Sequence, residues 1–529
     1  MKTLLKDAWI VDGTGEPGRK GSVVISADRI IDIVEQEPEG FLGKVVDCEG
    51  KILSPGFIDV HSHNDWFADR DEPMAYYQPF VEQGIVTECT GNCGFSAMGY
   101  EQGQNVSDAM SGYKKDGRDF ADLDRWFEFM DRTMPSNQAA LLAHGTLRYS
   151  LVGKSTKPLD KEQMEKMKWV VRESLAQGAC GVSMGLEYAP GMYAPYEELL
   201  EVARIVKEYD SILTLHTRAL GKISGVYPVV EGGRPHNLIA LDEAVRLGRD
   251  SGCKIHYSHA SFSGKGTFDT NEEMLATIDR ANEEGIDTSF DIYSLPAGMS
   301  FITYPMPDWY QALSESERYE KENLERFKKE FYEREKVNQY GFDLIVITND
   351  RVKGCKGKSV TEIAKMWGME PFDAYIKLVQ VTKGEQRILQ RTFVDDSTVE
   401  PQSKHPKCLF MTDAWFEPGC IQNYNVYGCF PHLLELSRDG RGPGLEECIA
   451  KMTGNSARRF KIPQRGFIKS GMYADICVFD LEKIQAHWDR KPDGFEQVFM
   501  NGIHVIENGD TYTERLGRAG RAVRVINIK

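Results

Sequence analysis

The chain has 529 residues, of which 41% are hydrophobic and 27% are charged, and its formal net charge is −16 at pH 7. This length can bury a large core, and the composition excludes a disordered or fibrous protein. The negative charge argues against nucleic acid and against an anionic membrane as partners, because phosphate groups would repel the chain.

Eleven cysteines are scattered along the chain, and none has the Cys-x-x-Cys spacing of a structural zinc knuckle. An odd, unpatterned set of cysteines is not a disulfide framework and suits a reducing compartment. The start, Met1 to Asp7, interrupts its apolar run with charges, and no segment approaches the roughly 18 apolar residues of a membrane span. We therefore expect a cytoplasmic protein that does not bind a membrane.

The two ends of the chain share one pattern. The first part reads as short strands separated by turns, at residues 9–13, 22–25, 30–34 and 44–48. The tail repeats this style, with strand-like runs at residues 474–480 and 498–502. Such short runs bounded by turn residues are typical of strands. We therefore predict one small discontinuous β-sandwich domain formed by residues 1–54 and 463–529.

The middle of the chain, residues 55–462, alternates apolar strand-like runs with segments of helix length. The runs cover residues 57–61, 84–90, 139–145, 179–184, 211–216, 253–259, 286–293 and 407–413. Eight runs with this spacing favour an α/β fold, namely a (β/α)₈ TIM-like barrel, over a doubly wound sheet.

The gap between the last two runs, about residues 294–406, is too long for one crossover. It contains an aromatic-rich stretch, residues 301–310, and a charged helical stretch, residues 314–336. An insertion after strand 7 of a barrel lies over the mouth where barrel enzymes carry their chemistry. We predict an inserted lid; the alternative is a pair of surface helices without a role in the reaction.

His61 and His63 follow the first predicted barrel strand. Alternate residues of a strand point to the same side, so both imidazoles face one way and form half of a metal site. They also stand at the carboxyl end of the strand, where the active sites of barrels lie. The alternative is a chance pair of hydrogen-bonded histidines.

Four further residues that can bind a metal stand at the ends of other predicted strands: Cys93, His216, His259 and Asp413. The carboxyl ends of barrel strands converge, so these side chains are expected to meet His61 and His63. Nitrogen, sulfur and oxygen ligands together suit Zn²⁺. Taken alone, Cys93 would be a buried apolar thiol.

Two other histidines, His256 and His144, are alternative candidates for metal ligands. His256 and His259 point to opposite faces of their strand, and we choose His259 because it is terminal. His144 is interpreted as a hydrogen-bonded strand end rather than as a ligand.

These residues lie in motifs through which the chain resembles the amidohydrolase superfamily, and within it the D-aminoacylase (N-acyl-D-amino-acid deacylase) group. The resemblance spans nearly the whole chain. It rests on Asp12–Gly15, Pro55–His63, Gly91–Ser96, His144–Arg148, Gly185–Gly191, Thr412-Asp413 and Asn501-Gly502.

The resemblance implies that Cys93, His216 and His259 hold the tighter zinc ion. His61, His63 and Asp413 then form a second metal site that is weak or empty, and Asp413 is the acid and base of the reaction. A thiolate with two imidazoles leaves a fourth position of zinc open, as a catalytic site requires.

The chain departs from this group at the positions that hold the substrate. The group usually has a lysine two residues after the histidine of strand 6, and here that position is Ser261. A serine expected after strand 7 is also missing, because the chain reads Ala297-Gly298-Met299. We therefore expect either a substrate without a carboxylate or a carboxylate held by Arg218 or Lys265, with Tyr188 and Tyr293 lining the pocket.

The sequence thus predicts a zinc-dependent hydrolase that cleaves a small linear N-acyl amide, such as an N-acyl amino acid. The nearest rival is a hydrolase of cyclic amides, namely hydantoins, dihydropyrimidines or lactams. A non-catalytic barrel that serves as a binding scaffold would be expected to have lost a ligand, and all six are present. Homo-oligomerisation and the number of bound metal ions stay open.

Overall fold

The computed structural model of the protein describes residues 2–35, 37–98 and 120–527. Its strands are β1 (Lys2–Ile10), β2 (Arg19–Ser26), β3 (Arg29–Val34), β4 (Lys44–Asp47), β5 (Ile52–Pro55), β6 (Phe57–Asp59), β7 (Ile85–Thr90), β8 (Asn137–Ala143), β9 (Gly181–Gly185), β10 (Ile212–His216), β11 (Lys254–Tyr257), β12 (Thr288–Ile292), β13 (Ala297–Phe301), β14 (Ile345–Ile347), β15 (Arg387–Arg391), β16 (Cys408–Phe410), β17 (Ile476–Phe479), β18 (Phe495–Met500), β19 (Ile503–Glu507), β20 (Asp510–Thr511) and β21 (Ala522–Val523).

The helices are α1 (Met74–Val81), α2 (Leu123–Thr133), α3 (His144–Val152), α4 (Lys161–Gln177), α5 (Tyr196–Glu208), α6 (His236–Ser251), α7 (Asn271–Glu283), α8 (Asp308–Ala312), α9 (Glu315–Arg318), α10 (Lys321–Asn338), α11 (Val360–Trp367), α12 (Pro371–Thr382), α13 (Asp396–Lys404), α14 (Asn425–Arg438), α15 (Leu445–Met452), α16 (Gly454–Arg459) and α17 (Thr513–Leu516). Short 3₁₀ helices cover Asn64–Phe67, Gly191–Tyr193, Lys265–Thr270 and Leu481–Lys483. Within the described ranges, no helix combines the length and the apolar character that crossing a membrane requires.

The central sheet contains eight parallel barrel strands in the order β6, β7, β8, β9, β10, β11, β12 and β16, and the short strand β21 pairs with β8. Strands such as β8 and β10 are buried along their whole length, as expected when helices cover a parallel sheet. The first and last strands meet at their carboxyl ends, where Asp59 accepts hydrogen bonds from the backbone N–H of His61 at 3.0 Å and of Thr412 at 3.1 Å. The predicted (β/α)₈ barrel and its eight strands are confirmed.

The terminal segments share a second sheet, in the order β20, β19, β18, β17, β5, β1, β2 and β3, with β4 paired to β1. Strand β5 from the N-terminal segment pairs antiparallel with β17 from the C-terminal segment, and this pair joins the two ends of the chain. Its core includes Leu5, Val23 and Phe499. The domain boundaries at residues 54 and 463 stay predictions.

The insertion between β12 and β16 contains the three-stranded antiparallel sheet of β13, β15 and β14 together with helices α8 to α13. Helix α10 covers most of the predicted charged stretch. It buries Phe327 and Phe331 on one face. Its last residue, Asn338, exchanges hydrogen bonds with the backbone of Ile223, at 2.8 and 3.1 Å. The helix is therefore attached to the loop that follows β10, at the carboxyl ends of the barrel strands.

Candidate metal centre and active site

The six predicted ligands come together at the mouth of the barrel in two overlapping groups. One group contains His61, His63, Cys93 and Asp413, and the other contains Cys93, His216 and His259. Within each group the ligand atoms lie within 4.8 Å of one another. Cys93 belongs to both groups, so one sulfur atom is placed to serve two neighbouring metal positions.

Cys93 Sγ is the centre of this arrangement. It lies 3.2 Å from His61 Nε2, 3.5 Å from His216 Nδ1 and 3.5 Å from His259 Nε2. On the other side of His61, Asp413 Oδ1 lies 3.4 Å from His61 Nε2 and 3.2 Å from His63 Nε2. The atoms that face one another are therefore ring nitrogens, a sulfur and a carboxylate oxygen, which are atom types that can bind a metal.

Three of the ligands have left-handed backbone conformations, with φ of 51° at Cys93, 34° at His259 and 47° at Asp413. This region costs free energy for residues other than glycine, and such strain is concentrated at functional sites. His256 lies outside both groups. Its ring contacts Ser289 Oγ at 2.7 Å and Asp291 Oδ2 at 3.1 Å.

Two carboxylates that the sequence analysis did not select orient the histidines from behind. Asp291 Oδ2 lies 3.4 Å from His61 Nδ1, and Glu187 Oε2 lies 2.9 Å from His216 Nε2. A carboxylate on one ring nitrogen leaves the other nitrogen free to bind a metal. Asp291 was visible in the sequence as an acidic residue near the end of a barrel strand, the same feature that identified Asp413.

The electrostatics of the site fit a divalent cation. Burial lowers the pKa of His216 and of His259 to about 3, so both rings are neutral and keep a lone pair for a metal. Burial opposes ionisation of Asp413, but the hydrogen bond with His63 and the nearby His61 lower its pKa to about 2. Burial raises the pKa of Cys93 to about 11, and a bound cation is what stabilises a thiolate in such a place. This donor set is one that Zn²⁺ prefers.

Comparison with known proteins agrees with the fold. Residues 44–302 match the model of the Amidohydrolase family. The chain contains an amidohydrolase domain. It is 29% identical to the N-acyl-D-glutamate deacylase of Alcaligenes xylosoxydans xylosoxydans, over 96% of this chain and 93% of that protein. The resemblance found in the sequence motifs is therefore confirmed.

Two solved structures are similar to this chain over 99% of both chains. One is the N-acyl-D-glutamate deacylase from Bordetella bronchiseptica complexed with zinc and a phosphonate inhibitor that mimics the tetrahedral intermediate of its reaction, with a TM-score of 0.79 and 27% identity. The other is a D-aminoacylase with a binuclear metal centre that is described by one-metal activation and second-metal attenuation, with a TM-score of 0.78 and 26% identity.

Two of the four residues predicted to hold the substrate lie at the mouth of the barrel. Tyr188 OH lies 3.4 Å from His216 Nδ1, and the two rings are 4.5 Å apart. Tyr293 directly follows β12 and is buried. Burial raises the pKa of both phenols well above the ordinary value, so both can act as neutral hydrogen-bond donors.

The two cations predicted to grip a carboxylate are placed differently. Arg218 is 8% exposed, and its guanidinium donates to Glu243 at 2.9 Å and to the carbonyls of Met192 and Ala194 at 2.8 Å each. Lys265 is exposed at the start of a 3₁₀ helix. Because the protein already occupies the donors of Arg218, we correct its assignment: Arg218 holds the segment after β9 and is not retained as a substrate contact.

This correction predicts that Arg218→Met will destabilise the protein without changing substrate preference. The change leaves Glu243 and two carbonyls without their donor, at a cost of about 1–3 kcal/mol. Urea unfolding should show this loss. Arg172 makes a similar two-point pair with Glu208 on the surface, so Arg172→Met should cost less than about 1 kcal/mol. A loss of kcat/KM confined to anionic substrates in Arg218→Met would restore the original assignment.

An apolar wall, which the sequence analysis also missed, borders the second ligand group. Trp66 stacks on His63 at 4.5 Å, and the Trp415 ring lies 5.0 Å from Trp66. Phe95 and Met299 pack against the same cluster. Trp66 and Trp415 are far apart in the chain, and only the folding of the barrel places them together.

Proposed function

We propose that this amidohydrolase removes the acyl group from an N-acyl amino acid by zinc-dependent hydrolysis of the amide bond. The observation that supports this function best is the pair of ligand groups that share Cys93. It combines the donor set of a catalytic zinc site with a second position beside an ionised carboxylate.

The first zinc ion would be held by Cys93 Sγ, His216 Nδ1 and His259 Nε2. His61, His63 and Asp413 would form the second position, which is occupied more weakly or not at all. When bound, zinc supplies Lewis acidity, which polarises the carbonyl of the amide and makes water acidic enough to attack near neutral pH. Glu187 and Asp291 keep His216 and His61 in the orientation that binding requires.

Asp413 is the proposed proton carrier of the reaction. Its contacts with His63 and His61 hold the carboxylate ionised at the mouth of the barrel. As the oxygen of water bonds to the acyl carbon, Asp413 accepts a proton from that water. It then returns the proton to the amide nitrogen as the carbon–nitrogen bond breaks, because an amine leaves poorly unless it is protonated. The products are a carboxylic acid and a free amino acid.

Hydrolysis of a cyclic amide would use the same residues, so the choice rests on the relatives. The relative and the two solved structures described above are all deacylases or aminoacylases, and they match nearly the whole chain. This favours a linear N-acyl substrate over a hydantoin, a dihydropyrimidine or a lactam. The scaffold alternative is disfavoured because all six ligand side chains are present and converge.

The proposal is tested by measuring the zinc content of the purified enzyme and assaying it on a substrate panel. The panel contains N-acetyl-D-amino acids, their L-enantiomers, hydantoin and dihydrouracil. We expect zinc to copurify and free amino acid to be released from members of the N-acetyl-D series. Ring opening of the cyclic compounds, with no release from any linear amide, would overturn the proposal.

Three further properties are proposed from the sequence. The scattered, unpatterned cysteines support a cytoplasmic location. Light scattering can measure whether the protein associates into a homo-oligomer. Division into a β domain, residues 1–54 and 463–529, and a barrel, residues 55–462, is supported by the two large sheets, although β21 (Ala522–Val523) pairs with β8 of the barrel.

A further inference from the structure

A pocket lies between the barrel and the insertion, and Glu187, which contacts His216, lines it. Its barrel side is formed by Glu187 and by Ser263. Its insertion side is formed by Tyr304, by Arg334 and Asn338 of α10, and by Tyr340. The pocket opens to solvent. A molecule that reaches the ligand groups from this direction passes between the barrel and α10.

Arg334 is the cation of α10 that faces this pocket. Other cations of the helix pair with glutamates one turn away on its outer surface, as in Lys321–Glu325 and Lys329–Glu333. Arg334 follows Phe331, which is buried, and it precedes Asn338, which is bonded to the loop after β10. Its side chain is therefore carried on the attached face of a fixed helix.

Some N–H groups of the Arg334 guanidinium have no hydrogen-bond partner among the described residues. Its Nε donates to the carbonyl of Glu330 at 3.3 Å, and one Nη donates to the carbonyl of Pro305 at 2.8 Å. Across the described residues, no carboxylate oxygen lies within 4.0 Å of this guanidinium. The carboxylate of Glu330 is already used by Arg326 at 2.9 Å and by the indole of Trp309 at 2.7 Å.

A partly buried cation without a counter-ion is costly, and a planar guanidinium with free N–H groups suits a carboxylate. Burial lowers the pKa of Arg334, and the nearby Glu330 and Glu187 oppose this shift. Arg218 is committed to Glu243, Lys265 is exposed, and Ser261 occupies the position where the resemblance implies a lysine. Arg334 thus lines the pocket beside the metal centre with donors still free.

Resting on the proposed function, we infer that Arg334 binds a carboxylate of the N-acyl amino acid. The insertion thereby provides the anion contact that is missing after His259, and the substrate spans the pocket from α10 to the ligand groups. The substrate class is then an anionic N-acyl amino acid rather than a neutral amide.

The test compares Arg334→Met with the wild-type enzyme on the N-acetyl-D-amino acid that is hydrolysed best and on its α-carboxamide. We expect kcat/KM to fall roughly 10- to 100-fold for the acid, the size of a lost hydrogen bond to a charged group, and by less than about threefold for the carboxamide. If the best substrate is N-acetyl-D-glutamate, N-acetyl-D-glutamine adds a second arm, which shows whether Arg334 binds the α- or the side-chain carboxylate.

Two further variants separate recognition from a structural role. Arg334→Lys keeps the charge but not the planar fork, so it should recover part of the preference for the acid. Lys329→Met changes an exposed cation on the outer side of the same helix and should leave the preference unchanged. Because each ratio is taken within one variant, a partly unfolded preparation lowers both rates and leaves the ratio intact.

Binding provides a readout that does not depend on turnover. In the zinc-loaded Asp413→Asn background, calorimetric titration with the acid should show weaker binding when Arg334→Met is added, with no such change for the carboxamide. Equal effects on both compounds, or none, would overturn the role of Arg334 and leave the deacylase function standing. Failure of the wild-type enzyme to release amino acid from any linear amide would instead overturn the proposed function.

Discussion

Replacing Cys93 with alanine should remove most of the zinc from the purified protein and abolish most of its turnover. Its sulfur is common to both ligand groups and lies within 3.5 Å of His61, His216 and His259. Loss of a partner that only orients a ligand already weakens metal affinity roughly 10- to 100-fold, and loss of the ligand itself should cost at least as much. Zinc per chain after dialysis and kcat/KM are the two measurements.

Cys89→Ala is the matched control for this experiment. Cys89 is buried on β7, four residues before Cys93, and belongs to neither ligand group. The Cys89→Ala variant should retain its zinc even if the loss of a buried sulfur lowers the stability of the protein. If Cys93→Ala behaved in the same way, with full zinc and full turnover, the thiol would be a core residue and the proposed metal centre would be wrong.

The Asp413→Asn variant should keep the tighter zinc ion but lose turnover by roughly 10² or more, the usual contribution of a general acid and base. The amide has nearly the shape of the carboxylate, but it cannot accept a proton from water or return one to the leaving nitrogen. The three atoms proposed to hold the tighter zinc, Cys93 Sγ, His216 Nδ1 and His259 Nε2, are unchanged by this substitution.

In Asp413→Asn, turnover should therefore fall while the zinc content stays high. In Cys93→Ala, zinc content and turnover should fall together. This contrast distinguishes a proton carrier from a metal ligand whose loss empties the site. Turnover close to that of the wild-type enzyme would rule out Asp413 as the proton carrier. Loss of the tighter zinc together with turnover would mean that Asp413 belongs to the first metal position and not to the second.

Local patterns in the sequence were sufficient to predict the barrel and the side chains that converge at the carboxyl ends of its strands. The eight buried strands appear as continuous apolar runs because each strand is covered on both faces. His61, Cys93, His216, His259 and Asp413 could be selected because the barrel brings all the carboxyl ends of its strands to one side. Position at the end of a strand therefore substitutes for knowledge of contacts between distant residues.

The partners of charged side chains were decided only by the tertiary structure. Arg218 looked available for a substrate, but its partners Glu243 and Met192 lie 25 and 26 residues away in the chain. Arg334 looked like one more charge on a solvated helix, and the packing of Phe331 and the attachment of Asn338 turn it toward the pocket. Burial and pairing of a charge depend on which distant segments pack around it, and no period or spacing in the sequence records that information.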